Sequence, residues 1–229
     1  FMGGIVHEVL EKLYKDLGQG RCPSKGELFK LYNETWERNF SDKILIARKG
    51  TVADDYRKMG MIFLRDYYNQ FHPFDQLEII GIETEDKITL KDGSQWHIRI
   101  DKFCKDKEGN YYICDYKTNG RMKEQREADE DRQLAMYSIW VKEKFATAKS
   151  IKLVWHMLKF NETVISERTD EQLELLHDEI VGKIDALKKA EQEGNFPPNV
   201  SKLCEWCLYQ DICPEYRKAK SAWETQKTL

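Results

Sequence analysis

No stretch of the 229-residue chain approaches the roughly 18 consecutive apolar residues that a membrane helix requires. The opening residues also lack the charged, then apolar, then small succession of a secretory signal, so a cytoplasmic protein with no membrane partner is expected. Neither sign of charge dominates: 37 Lys and Arg stand against 40 Asp and Glu, a net charge of −3. Any polyanion must then be held by a local basic patch or by metal ions, not by an overall field. Internal repeats and low-complexity linkers are missing as well. With 41% hydrophobic and 12% aromatic residues, the composition excludes a disordered chain, a collagen and a disulfide miniprotein. A chain of this length buries about 70% of its unfolded surface, enough for one core without staples. It opens on Phe1 at the head of a helical pattern, so it reads as a segment of a longer protein.

Ile5, Val9, Leu13 and Leu17 form one helical stripe that ends at Gly18 and Gly20. Pro23 and Ser24 introduce a second helix that fades near Phe40, and a third runs from about Ala53 to Tyr68. After His72 and Pro73 the period becomes alternating. The Leu77–Leu90, Gln95–Cys104 and Tyr111–Tyr116 stretches read as strands of an antiparallel meander, joined by turns at Asp92-Gly93 and Gly109-Asn110. A helix from about Ala128 to Phe145, a strand from Ser150 to Phe160 and a long helix from Thr169 to about Glu193 follow. One α/β domain over 1–229 is expected, with a helical part (1–72), a catalytic sheet and helix (73–160), a long helix (161–200) and a Cys-rich tail (201–229).

Two successive strands carry the most informative residues. Asp115 and Lys117 are two apart and project from one face, and pairing around the turn at 106–110 brings Asp101 toward Asp115. Two carboxylates that close repel, and a divalent cation is the usual way to keep both ionised. Oxygen ligands suit Mg2+ or Mn2+, and such a shell suits phosphodiester hydrolysis, with lysine orienting the nucleophile or stabilising developing charge. For an isolated Asp-x-Lys, an ordinary cross-strand ion pair is the commoner outcome. Glu83 is a further candidate acid, balanced by its reading as a solvated charge beside Glu85 and Asp86. Arg99, Lys102, Lys105, Lys117, Arg121, Lys123 and Arg126 cluster in sequence around the site as candidate phosphate contacts.

Phe1 to Glu11, Asp101, Asp115-Tyr116-Lys117-Thr118, Gln133-Leu134-Ala135-Met136-Tyr137 and Cys204-x2-Cys207-x5-Cys213-Pro214 resemble, in this order, the PD-(D/E)XK nucleases of the RecB-like exonuclease branch. Ile98 and Ile100 stand where many members carry Gly and Pro. The resemblance implies a restriction-endonuclease-like mixed sheet flanked by helices. It implies that His7, Asp101, Asp115 and the Tyr116 carbonyl hold the metal, that Lys117 is the catalytic lysine, and that Gln133 and Tyr137 act near the site and the DNA. The activity implied is a metal-dependent exodeoxyribonuclease of DNA repair, recombination or defence, attached to a helicase or another repair or recombination subunit. A catalytically silent nucleic-acid-binding module and a zinc-binding interaction domain are the rival readings.

Three of the six cysteines, Cys204, Cys207 and Cys213, crowd into the tail, a pattern that reads as zinc or an iron–sulfur cluster before disulfide. The resemblance implies three ligands of a four-iron four-sulfur clasp tying the tail to the N-terminal region. Its fourth ligand is then Cys22, or lies upstream of Phe1, or the cluster is incomplete in this chain. Cys104 and Cys114 are expected to point away from the site into the core.

Overall fold

The computed structural model describes residues 1–46, 48 and 50–219. Helix α1 (Met2–Gly18) buries Ile5, Val6, Val9, Leu10 and Leu13 along the stripe read from the sequence. Helix α2 (Lys25–Asn39) starts at a capping box in which Ser24 and Glu27 satisfy each other's backbone N–H groups. Helix α3 (Ala53–Phe71) completes a helical layer whose apolar side chains form one core with Tyr116 and Leu158.

Strands β1 (Glu78–Thr89), β2 (Gln95–Lys105) and β3 (Asn110–Lys117) form the expected antiparallel meander. Two short helices, α4 (Gln125–Asp129) and α5 (Arg132–Lys144), carry the chain across to β4 (Ser150–Met157), which lies parallel to β3. Strand β5 (Glu162–Ser166) closes a mixed sheet of order β1-β2-β3-β4-β5. Helix α6 (Asp170–Glu193) starts with reciprocal bonds between Thr169 and Gln172 and is followed by Gly194 at φ +62°.

Two expectations are corrected. The single strand 150–160 ends at Met157, because Asn161 at φ +52° turns the chain back into β5. The single helix 128–145 is two helices, because Asp131 leaves helical geometry and its carboxylate caps Leu134 N–H.

By contacts the chain divides into two compact units, Phe1–Val181 and one starting at Gly182, so the boundary falls inside α6. The second unit contains a short 3-10 turn at Lys202–Trp206 and a helical turn over 214–219. Within the first unit the sheet has two covered faces. Phe103, Tyr111, Trp140 and Phe145 form an aromatic cluster beneath α5, while α1 and α3 cover the opposite face. No described helix is long and apolar enough to cross a membrane.

Candidate active site

Sheet register builds the site. The β2–β3 ladder starts at Lys102↔Cys114, so Asp101 and Asp115 lie level at its open end. On the other side, the pairs Ile82↔Lys102 and Thr84↔Ile100 bracket Glu83 opposite Asp101. A bulge between Ile79 and Gly81 sets that level; an uninterrupted ladder would bring Ile82 opposite Asp101. Glu83 itself has a left-handed backbone at φ +46°, which a non-glycine residue adopts at a cost and often near a functional site. Three acids on three neighbouring strands therefore form a row. Side-chain alternation puts Asp101 with Phe103, and Asp115 and Lys117 with Tyr111, on the face covered by α5.

Helix α1 supplies the fourth group. His7 Nε2 lies 2.8 Å from the Tyr116 carbonyl oxygen and Nδ1 3.4 Å from Asp101 Oδ2, so both ring nitrogens meet acceptors. Asp101 Oδ2 also accepts the Tyr116 N–H at 2.9 Å. His7, Glu83 and Asp101 offer donor atoms within 4.8 Å of one another, a group able to hold a cation. Lys117 Nζ lies 2.8 Å from Asp115 Oδ2, but without hydrogen-bond geometry, and that oxygen is buried with no hydrogen-bond partner. A buried carboxylate oxygen matched only by this one ammonium can also accept an added cation.

The electrostatics follow from burial and pairing. Burial pushes Asp115 up to about 6, and Lys117 offsets this only in part. Glu83 is raised by burial and by the charge on Asp101, against the opposing effect of Arg99 at 3.3 Å. For Asp101, burial favours the neutral form, yet His7 and the Tyr116 N–H hold it below the usual carboxylate range. Burial likewise opposes the charge on His7, but Asp101 and the Tyr116 carbonyl raise its pKa.

His7, Asp101, Asp115, Tyr116 and Lys117 thus come together where the sequence places them, and Glu83 joins the cation-binding group. Gln133 donates to Tyr137 Oη at 3.1 Å on α5; among the described residues this pair has no hydrogen bond to the acids. The basic cluster is partly dismantled. Lys102 lies on the reverse face and is buried, and Lys123 is occupied by Asp131 at 2.8 Å and by the Trp155 ring. Lys105 pairs with Glu78, Arg121 with Glu127 and Arg126 with Glu130. Arg99 and Lys117 remain beside the acids. Cys104 and Cys114 are buried, as expected. Cys204, Cys207 and Cys213 are free thiols that each accept a backbone N–H, at 3.4, 3.4 and 3.5 Å, but their sulfurs form no group within 4.8 Å of one another.

Gly3 fixes how closely α1 approaches this constellation, since a Cβ there would lie 2.6 Å from Thr118 Oγ1. Gly3→Ala should push the first turn of α1, and His7 one turn later, away from Asp101. Mn2+ affinity should fall about tenfold, the scale for disturbing groups that orient metal ligands. Adding Thr118→Ala removes the obstructing oxygen and leaves the next Thr118 atom at 3.7 Å, so the double variant should recover. Unchanged Mn2+ titration by Gly3→Ala would contradict the placement of His7.

Comparison with known proteins agrees with the architecture. A provisionally assigned exonuclease from Eubacterium rectale, known from its crystal structure, is similar with a TM-score of 0.50 and 12% identity, over 95% of this chain and 74% of that one. At that identity the likeness shows the fold alone. SSO0001 is more distant, with a TM-score of 0.38, 18% identity and 72% of each chain covered. No curated protein matches. A model of the PD-(D/E)XK nuclease superfamily matches residues 1–214, and the chain belongs to that superfamily.

Proposed function

We propose that residues 1–229 act as one divalent-metal-dependent deoxyribonuclease domain that degrades DNA from its ends. The observation that carries this reading is the meeting of His7, Glu83 and Asp101 beside the Tyr116 carbonyl and the buried Asp115–Lys117 pair. His7, Asp101, Asp115 and the Tyr116 carbonyl would hold Mg2+ or Mn2+, with Glu83 as a further acid. One nitrogen among hard oxygen donors fits either ion. When bound, the ion supplies acidification of water and neutralisation of phosphoryl charge. Asp115 and Lys117, in contact at 2.8 Å, orient the attacking water, and the ammonium stabilises charge developing on the phosphate. His7 keeps Asp101 in place through its ring, while Arg99, exposed beside Glu83, meets the incoming backbone. Gln133 and Tyr137 act as one hydrogen-bonded unit toward the DNA. Residence in the cytoplasm, association with a helicase or another repair or recombination subunit, and a role in repair, recombination or defence belong to the same reading.

End-labelled linear single- and double-stranded DNA with Mn2+ tests it. Asp115→Asn and Lys117→Ala should each lower turnover about 1,000-fold or more with an unchanged fold, and the double variant should lose little beyond either, because the groups act as a unit. Near-wild-type cleavage by both single variants contradicts the assignment, and efficient cutting of closed circular DNA contradicts attack from ends.

We also propose that Cys204, Cys207 and Cys213 are three ligands of a four-iron four-sulfur cluster. Backbone N–H donors already face all three sulfurs, and hydrogen bonds to the ligand sulfurs are one way a protein tunes such a cluster. Anaerobically purified native protein should be brown and Cys207→Ala colourless; colourless wild-type protein with stoichiometric zinc contradicts the cluster and leaves the nuclease reading intact.

A further inference from the structure

The reverse face of the catalytic strands contains a buried cation that has no carboxylate partner among the described residues and only the Cys104 and Cys114 thiols close by as acidic groups besides its tyrosines. Lys102 is 5% exposed, and its ammonium donates to Tyr14 Oη at 3.1 Å and Tyr67 Oη at 3.0 Å while lying 4.4 Å from the Tyr14 ring centre. Among the described residues no carboxylate forms an ion pair with it. An ammonium has three donors, and these hydroxyls take two. Buried charges are ordinarily paired, because taking an ion out of water without a partner is strongly unfavourable.

Beside Lys102 lies a cavity of about 180 Å³. His156, which also lines it, is 5% exposed, and its Nε2 is buried without a hydrogen-bond partner. Its Nδ1 lies 3.4 Å from Thr163 Oγ1; with the hydroxyl donating, Nε2 is an N–H donor whose neighbour is the Cys114 thiol, a weak acceptor. Much of the remaining lining is apolar, with Phe71, Phe74 and Val154 prominent. The cavity is distinct from the nuclease site: alternation turns Lys102 away from Asp101, and Cys114, which also lines the cavity, away from Asp115.

We propose that this cavity binds a small apolar carboxylate, held by Lys102 and His156 with its hydrocarbon body against Phe71, Phe74 and Val154. A carboxylate supplies a full negative charge and a strong acceptor for both groups, which neither a cation, a hydrocarbon nor the weakly accepting Cys114 thiol does. The size suits one ring, since a cavity of about 150 Å³ in another protein accommodates benzene.

Calorimetric titration of the full chain with benzoate, benzyl alcohol and acetate separates charge from shape. Benzoate should bind at least about tenfold more tightly than either, the scale of a charge-assisted hydrogen bond. Lys102→Met keeps an apolar stem in the Tyr14–Tyr67 cage and should reduce benzoate to the level of benzyl alcohol. His156→Phe keeps the ring volume without the N–H and should weaken benzoate several-fold. Equal affinity for benzoate and benzyl alcohol, or no benzoate binding by the wild-type chain, overturns the proposal whether or not the variants fold, and so does full benzoate affinity in a folded Lys102→Met. Every readout is binding, so failure here is distinguishable from failure of the nuclease reading.

Discussion

Three carboxylates at one level of a sheet repel one another, and the rest of the site is arranged around that repulsion. Backbone pairing fixes Glu83, Asp101 and Asp115 on adjacent strands, so the acids cannot separate without breaking the ladder. Each instead meets its own basic group: Arg99 for Glu83, His7 for Asp101 and Lys117 for Asp115. Burial strengthens these pairs and also penalises any acid left imperfectly matched, which is why Asp115 resists ionisation most clearly. Under the proposed reading, this partial compensation would give way to direct ligation of a divalent cation.

That dependence explains why distant segments matter to the chemistry. α1 must approach the end of β3 closely enough for one ring to touch both Asp101 and the Tyr116 carbonyl, and glycine at position 3 permits it. The bulge at Ile79–Gly81 changes which β1 residue comes level with Asp101. The same strands present opposite chemistry on their two faces, with acids toward α5 and the Lys102–tyrosine network toward α1 and α3. A one-residue slip would exchange these faces, so both arrangements depend on one register.

Much of this was legible because it is local or periodic. The turn at 106–110 implies that Asp101 and Asp115 meet, and the two-residue spacing puts Lys117 beside Asp115; both follow from strand geometry. Helix α1 was visible in its apolar stripe, but the contact between His7 and Asp101 spans most of a hundred residues and rested on resemblance to a family. Glu83 was ambiguous because its place depends on a bulge, which hydrophobic alternation does not reveal. Lys102 looked like a phosphate contact when only charge and proximity in sequence were counted; the alternation that aligns Asp101 with the active face turns Lys102 to the other. β5 was missed because its apolar residues are few, and the turn at Asn161 follows an apolar run that reads as one strand.

The central claim is that these acids and His7 form a cation site whose occupation expels protons. Calorimetric titration with Mn2+ at pH 5.5 and 7.5, each in two buffers of different ionisation enthalpy, tests it most directly. The raised pKa values of Asp115, about 6, and of His7 mean that protons compete with the metal more strongly at the lower pH than at the higher. Mn2+ should therefore bind at least about tenfold more tightly at pH 7.5, with net proton release at pH 5.5 that is reduced in Asp115→Asn. Affinity independent of pH, with no proton release, would contradict the account.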